Sequence, residues 1–419
     1  MSDRAISPPL SAPAGSPAES PAESEDNMAL IARLLPLDIA VFLVYFTIGA
    51  PLPVLSLFVH DRLGFDPIIV GIVIGAQAAA TLLARPLAGG VSDRRGTRAA
   101  VMIGALISIL AGMFYFIGTL LEFSPIAALV AILAGRMALG LGDSLFLTGA
   151  MAWGVQLGGP KNAGKGLMSV GIALYAAMAI GAPLGIAMFN SSGGFAVLAL
   201  IVAATPLLAC LIAQRLPAQP VVAGARIPLR EVFGLIWRPG AGVALSGVGF
   251  AVIAAFITLY YQSHGWDGAA YGLTAFGAAF IVARLFFGGY PDRFGGARVA
   301  LACLAIEVVG QLLLWFAPLP VIALLGASLT GFGYSLAFPA LCLEAVRRVP
   351  PQSRGSAIGA YVVCLDFSLA SAGPVARLLV APLGYSAIYL MGAACAALAA
   401  MLTIGLLTET TAAAPRAAQ

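Results

Sequence analysis

Residues 84–98 read ARPLAGGVSDRRGTR, and residues 283–298 read ARLFFGGYPDRFGGAR. Each sets an arginine, a glycine pair and an Asp-Arg at the end of a long apolar stretch, in a chain where only 10% of residues are charged. Such a cluster needs water nearby, and the stretches it terminates do not. Of the 419 residues 61% are hydrophobic, too many for a soluble surface. Apolar runs of 18 or more residues recur along nearly the whole length, each long enough to cross roughly 30 Å of hydrocarbon as a helix. The runs lack period-2 alternation, so a barrel is excluded and the expected class is an all-α membrane protein.

Read between charged or Gly/Pro-marked breaks, the runs fall at 37–59, 67–91, 99–121, 125–154, 167–189 and 195–213, then 240–263, 269–290, 299–316, 319–345, 356–380 and 384–407. These twelve spans divide into two sixes at the polar stretch 214–239, the expected linker. Residues 1–36, with SPAESPAES, bury too little apolar surface to fold and are expected to form a disordered tail, and 408–419 a second tail. Arg94, Arg95, Arg98, Lys161, Lys165, Arg215, Arg226, Arg230, Arg238, Arg293, Arg298, Arg347, Arg348 and Arg354 fall in alternate loops, whereas the opposite loops hold only Arg62. Positive loops stay in the cytoplasm, so both termini are expected there, in a bacterial inner membrane. The net charge of +4 follows from that asymmetry and calls for no nucleic-acid partner.

The quoted stretches belong to an internal repeat. Arg85 aligns with Arg284, Gly89-Gly90 with Gly288-Gly289, and Asp93-Arg94 with Asp292-Arg293. Upstream, LGFD at 63–66 matches HGWD at 264–267; downstream, GLGDSL at 140–145 matches GFGYSL at 331–336. Two six-span halves with one membrane orientation are the arrangement that rocks about a central site.

GGVSDRRGTR at 89–98 resembles the loop signature of the major facilitator superfamily, Gly-x-x-x-Asp-Arg-x-Gly-x-Arg, and 288–298 is a copy with one extra residue. RMALGLG at 136–142 is similar to that family's Arg-x-x-Gln-Gly-x-Gly, with Leu139 where Gln is usual. GAPLG at 181–185 resembles a loosened Gly-Pro signature of the drug/proton antiporters, and HDRLGFDPIIVGIVIGAQAAATLLARP is similar to arabinose-efflux-permease-like exporters. The resemblance covers all twelve spans and implies a two-bundle secondary transporter.

It also implies a gate. Gly89 and Gly90 let the second span approach a neighbour closely, and the Asp93 carboxylate faces exposed N–H groups at the start of the eleventh span, near Ser356. Arg94 and Arg98, with Asp292 and Arg293 in the copy, complete the two gate clusters. Reading the arginines only as topology signals and lipid-headgroup ligands leaves Asp93 and the glycines unexplained. Arg85 and Arg284, at equivalent positions in the second and eighth spans, are read as gate structure, pairing with Asp143 or capping carbonyls.

Arg136 lies about 16 Å into the fourth span, where a charge is expensive and faces a protein interior. It is expected to assist proton coupling or touch substrate, or else to form a buried salt bridge with Asp38. Asp143 lies close to the same helical face; in the second half Ala327 and Tyr334 replace the two charges. Asp366, Glu307 and Asp38 are further candidate proton carriers, with Asp366 first, since a carboxylate in a low dielectric takes up a proton readily. Tyr45, Gln77, Tyr175, Tyr260 and Tyr334 are candidate substrate contacts.

The expected activity is proton-coupled export of a small organic or amphipathic molecule; a symport importer and a transport-inactive receptor are the alternatives. Arg136 as the single clear midplane cation favours weakly charged solutes over polyanions. No cofactor is implied: there is no Walker A sequence, only two histidines for a metal, and no nucleophile and base constellation for an enzyme. The expected partners are substrate, protons and lipid, and the expected state is a monomer.

Overall fold

The computed structural model describes residues 21–190, 194–221 and 224–413. They form helices α1 (Pro21–Gly49), α2 (Pro51–Leu57), α3 (Pro67–Arg95), α4 (Thr97–Leu120), α5 (Pro125–Gly158), α6 (Ala163–Phe189) and α7 (Gly194–Arg215). There follow α8 (Leu229–Ser263), α9 (Ala269–Phe287), α10 (Tyr290–Phe294), α11 (Gly296–Phe316), α12 (Pro320–Arg347), α13 (Arg354–Leu383) and α14 (Ser386–Ala413). A π-helical turn, Phe58–Arg62, extends α2, so α1, α2 and the turn form one crossing interrupted where Pro51 and Pro53 remove backbone donors. Eleven helical runs among the described residues are long and apolar enough to cross a membrane. The remaining crossing is α9, whose 19 residues extend about 28 Å.

Three boundaries differ from the sequence reading. The first helix begins at Pro21, so residues 21–36, read as part of a disordered tail, are helical; Leu30 and Leu34 are buried against the bundle and provide the apolar anchor. Residues 1–20 lie outside the described ones. The linker contracts to 216–228, because α8 starts at Leu229 and buries Val232 and Ile236. At the far end α14 continues to Ala413 through part of the expected second tail, and 414–419 are outside the described residues.

The two halves pack alike. Helix α5 lies against α3 and α4 as α12 does against α9 and α11; α7 contacts α4 and α1 as α14 contacts α11 and α8; α6 lies on α1 as α13 does on α8. Glycines set these approaches. A Cβ on Gly140 would strike the Gln77 carbonyl of α3, and one on Gly142 would sit 2.8 Å from the Gly104 oxygen of α4. In the second half Gly331 meets Phe276 of α9 and Gly333 meets Cys303 of α11 in the same way. Large apolar side chains such as Leu83, Leu87, Phe286 and Val321 stay exposed around the outside, as a lipid-facing surface requires.

The halves meet along two symmetry-related seams, α3 with α13 and α6 with α9 and α12. The conserved-looking spacing of the quoted stretches now has a backbone cause. Gly96 turns α3 into α4 at φ 89°, and Gly295 turns α10 into α11 at φ 88°, a conformation that disfavours any Cβ. Gly142→Val is expected to cost about 1–3 kcal/mol by overpacking. Gly90→Ala, where a Cβ would meet nothing within 4 Å, is expected to leave the thermal midpoint unchanged or slightly raised. Scanning fluorimetry of the detergent-purified variants compares the two.

Candidate functional site

At one end of the molecule each quoted stretch reaches across to the other half. The Asp93 carboxylate accepts N–H bonds from Gly355 (2.7 Å) and Ser356 (2.8 Å) and a third bond from the Ser356 hydroxyl (2.5 Å). Asp292 accepts N–H bonds from Gly164 (2.8 Å) and Lys165 (2.9 Å). Helices α13 and α6 begin at these residues, so each carboxylate caps the positive end of a long helix in the opposite bundle. Burial raises the Asp292 carboxyl above its ordinary range, against the pull of the Gly164 and Lys165 N–H groups.

The gate residues divide. Gly89 is a close approach, its missing Cβ lying 2.6 Å from the Ser356 Cα, but Gly90 touches nothing, so only the first glycine of the pair sets the seam. Arg98 donates to the Gln214 carbonyl (2.5 Å), whereas Arg94 is exposed. Arg293 is exposed over the Phe294 ring (5.4 Å). The linker joins this end, since Arg226 donates twice to the Asp93 carbonyl.

Deeper, on the α3–α13 seam, charges of both halves converge. Arg85 of α3 donates through Nε to Asp366 of α13 at 3.0 Å, and its Nη2 lies 3.8 Å from Asp143 of α5. The hydroxyls of Tyr45 (2.5 Å) and Thr81 (3.4 Å) also donate to Asp143. Arg85 is 3% exposed, while the Asp366 side chain is 24% exposed, so the carboxylate is the member of the pair that a solvent proton can reach. Arg85, read as gate structure, therefore belongs to a polar network joining four helices and both bundles.

On the other seam stands its counterpart. Arg284 of α9 donates to the Ser335 carbonyl of α12 (3.4 Å), and its guanidinium carbon lies 4.5 Å from the Phe280 ring centroid and 5.6 Å from that of Tyr175 of α6. The guanidinium crosses the seam into space left by Gly171, where a Cβ would collide with Nη1. Tyr334 is 3% exposed and stacks on Phe250 at 5.4 Å.

The remaining candidates lie elsewhere. Arg136 does not meet Asp38; it leaves α5 on the α3 side and donates to the carbonyls of Val73 (3.1 Å) and Ile74 (2.9 Å), wholly within the first bundle. Asp38 of α1 instead buries a carboxylate oxygen that has no hydrogen-bond partner among the described residues. Glu307 is fully buried inside the second bundle, where Ser246 donates to it at 2.7 Å, and it faces neither seam. Tyr260, also fully buried, donates to the Leu314 carbonyl (2.7 Å) and packs edge-on against Tyr389, so it is core. Gln77 is buried in α3, and its side-chain oxygen has no partner among the described residues.

Three features escaped the sequence reading: Thr81, the Gly164 and Lys165 N–H donors to Asp292, and the equivalence of Tyr175 and Asp366 in the repeat. The repeat offset that relates Asp143 to Tyr334 also relates Gly164 to Gly355 and Tyr175 to Asp366. Extending the alignment to α6 and α13 is the signal that finds the last two.

Twin bundles, capping carboxylates at one end and a buried charge network across the seam define a membrane transporter of the two-bundle kind. The chain belongs to the Major Facilitator Superfamily, whose model matches residues 37–288 and 240–419. It is 40% identical over 370 residues to the uncharacterized MFS-type transporter STM4428 of Salmonella typhimurium, covering 88% of this chain and 95% of that one. Among solved structures it resembles the human organic anion transporter MFSD10, with a TM-score of 0.75, 15% identity, and coverage of 89% and 99%. It also resembles the Escherichia coli fucose:proton symporter FucP, with a TM-score of 0.73, 16% identity, and coverage of 89% and 98%. The chain is thus a multi-pass secondary transporter and not an enzyme. Because Arg136 ties α5 to α3, Arg136→Ala is expected to destabilise the first bundle by about 2 kcal/mol through lost hydrogen bonds and packing, read as a lower thermal midpoint.

Proposed function

We propose that the protein exports a small organic compound in exchange for protons, with Asp366 carrying the proton. The observation that carries this reading is the charge count of the α3–α13 network: one guanidinium, Arg85, faces two carboxylates, Asp143 and Asp366. One cation cannot neutralise two acids in a low dielectric, so the cluster takes up one proton favourably. Asp366 is the more exposed acid and sits on the opposite bundle from the other two groups. Protonating it removes the charge that holds α13 to α3, leaves Arg85 with Asp143, and frees the seam to move.

The loop arginines support an orientation with the Asp93 and Asp292 end, and both termini, on the cytoplasmic side of a bacterial inner membrane. Asp93, Asp292 and the helix starts they cap then form paired latches on the cytoplasmic side, shut in this state. Inward opening requires each carboxylate to release two backbone N–H groups, which water or a solute must then satisfy. Tyr45 and Thr81 hold Asp143 as an acceptor, so Arg85 has a fixed partner whichever way the second bundle swings. Substrate enters between the seams, where Tyr175 and Tyr334 line the approach. Coupling rests on Arg85, Asp143 and Asp366, and the export direction on the resemblance of GAPLG at 181–185 to the antiporter signature; the fucose:proton symporter shares the fold alone.

Asp366→Asn is expected to abolish accumulation of solute driven by a pH gradient in proteoliposomes while substrate exchange persists. Accumulation at the wild-type level sinks the role given to Asp366. Asp93→Asn and Asp292→Asn are expected to raise the labelling of single cysteines placed along the cytoplasmic halves of α3 and α13, and an unshifted labelling pattern removes the latches.

A further inference from the structure

The two seams carry one architecture with opposite charge. On the first, Arg85 lies between a residue of its own bundle, Asp143, and one of the other bundle, Asp366. On the second, Arg284 occupies the equivalent place, and the equivalent positions hold Tyr334 and Tyr175. The first cluster has one positive and two negative groups. The second has a guanidinium and, among the described residues, no carboxylate paired with it.

Arg284 is 95% buried by its exposure of 5%, and its Nη1 has no hydrogen-bond partner among the described residues. A single long bond, from Nε to the Ser335 carbonyl at 3.4 Å, satisfies one edge of a group with five donors. Rings of Phe280 and Tyr175 cover its faces, which supplies cation–π attraction but no counter-charge. An unpaired buried cation is costly, and a transporter retains one where a ligand completes it. Tyr175 is only half-buried, so its ring is the more accessible side of that cover.

We infer that Arg284 is the anion subsite for the transported molecule and that the molecule is a monocarboxylate with an apolar or aromatic body. The planar guanidinium fork matches a carboxylate with two parallel bonds. One cation matches one negative charge, which excludes the polyanions that would need several. Beside it lies a continuous aromatic wall: Phe276 is 5.2 Å from Phe250 and 6.2 Å from Tyr334, which is 6.1 Å from Phe280. That wall suits a ring or a short hydrocarbon attached to the carboxylate. The inference rests on the exporter reading for its transport role, while the subsite itself is a binding claim.

The test is binding without a gradient. Detergent-purified full-length protein is titrated calorimetrically with benzoate, trans-cinnamate and benzamide at fixed ionic strength. The carboxylates are expected to bind and benzamide to bind at least about tenfold more weakly, the loss that follows from removing a charge-assisted bond pair. Arg284→Gln is expected to erase the preference for benzoate over benzamide. Tyr334→Asp places an acid where the other half has Asp143, supplies Arg284 with an internal partner, and is expected to erase it too in a protein whose buried cation is no longer unpaired. Carboxylates that bind no better than benzamide, or that keep their preference in Tyr334→Asp, overturn the subsite. Because no proton movement is read, failure here leaves Asp366 coupling standing, and failure of the pH-driven assay leaves this subsite standing.

Discussion

A charge brought into a membrane must find its partner inside the protein, and Arg85 finds two in different bundles. Its ion pair with Asp366 spans the α3–α13 seam at 3.0 Å, and Asp143 stands behind it at 3.8 Å. Removing one member of a buried pair strands the other at a cost of about 3–5 kcal/mol. This is the physical basis of the proposed role of Asp366, whose ionisation sets whether the pair across the seam exists. The capping contacts of Asp93 and Asp292 join the same two bundles at the end of the molecule, so network and caps lie on shared seams.

The packing makes that motion possible as a rigid one. Within each half, glycines such as Gly142 and Gly333 bring helix backbones nearly into contact, and such interfaces do not slide without collision. Between the halves the contacts include carboxylates on helix N-termini, an ion pair and ring stacking, which exchange one partner for another or for water. Apolar glycine packing dominates within each bundle, while exchangeable polar contacts are concentrated on the seams, as a rocking pair of bundles requires.

The twelve crossings, the repeat and the N–H donors to Asp93 near Ser356 were legible because each has a local signature: long apolar runs, matched glycines, an acid at a helix end. The fates of Arg136, Asp38 and Glu307 were not. Position along a helix gives depth and face but not which neighbour the face meets, so Arg136 at mid-span looked like a cavity residue and is a clamp on the carbonyls of Val73 and Ile74. Tyr260 erred for the same reason. Arg85 and Arg284 were placed in the gate because their span ends near the loop; only the crossing of α3 with α13, and of α9 with α6, shows that they meet at the seams.

The inequality of the two seams is the part that symmetry leaves to chemistry. If both Arg85 and Arg284 had acid partners, the seams would be closed by internal salt bridges and neither would prefer a solute. If neither had one, no proton would be bound. Placing Asp143 and Asp366 on one side, and Tyr334 and Tyr175 on the other, gives one cluster an excess of negative charge and the other an excess of positive charge from a single duplicated frame. On the proposed reading, a proton neutralises the first cluster and an anion the second. In that proposal coupling between them needs no wire, because both clusters lie across the one interface between the halves, and neutralising either changes contacts that the other shares.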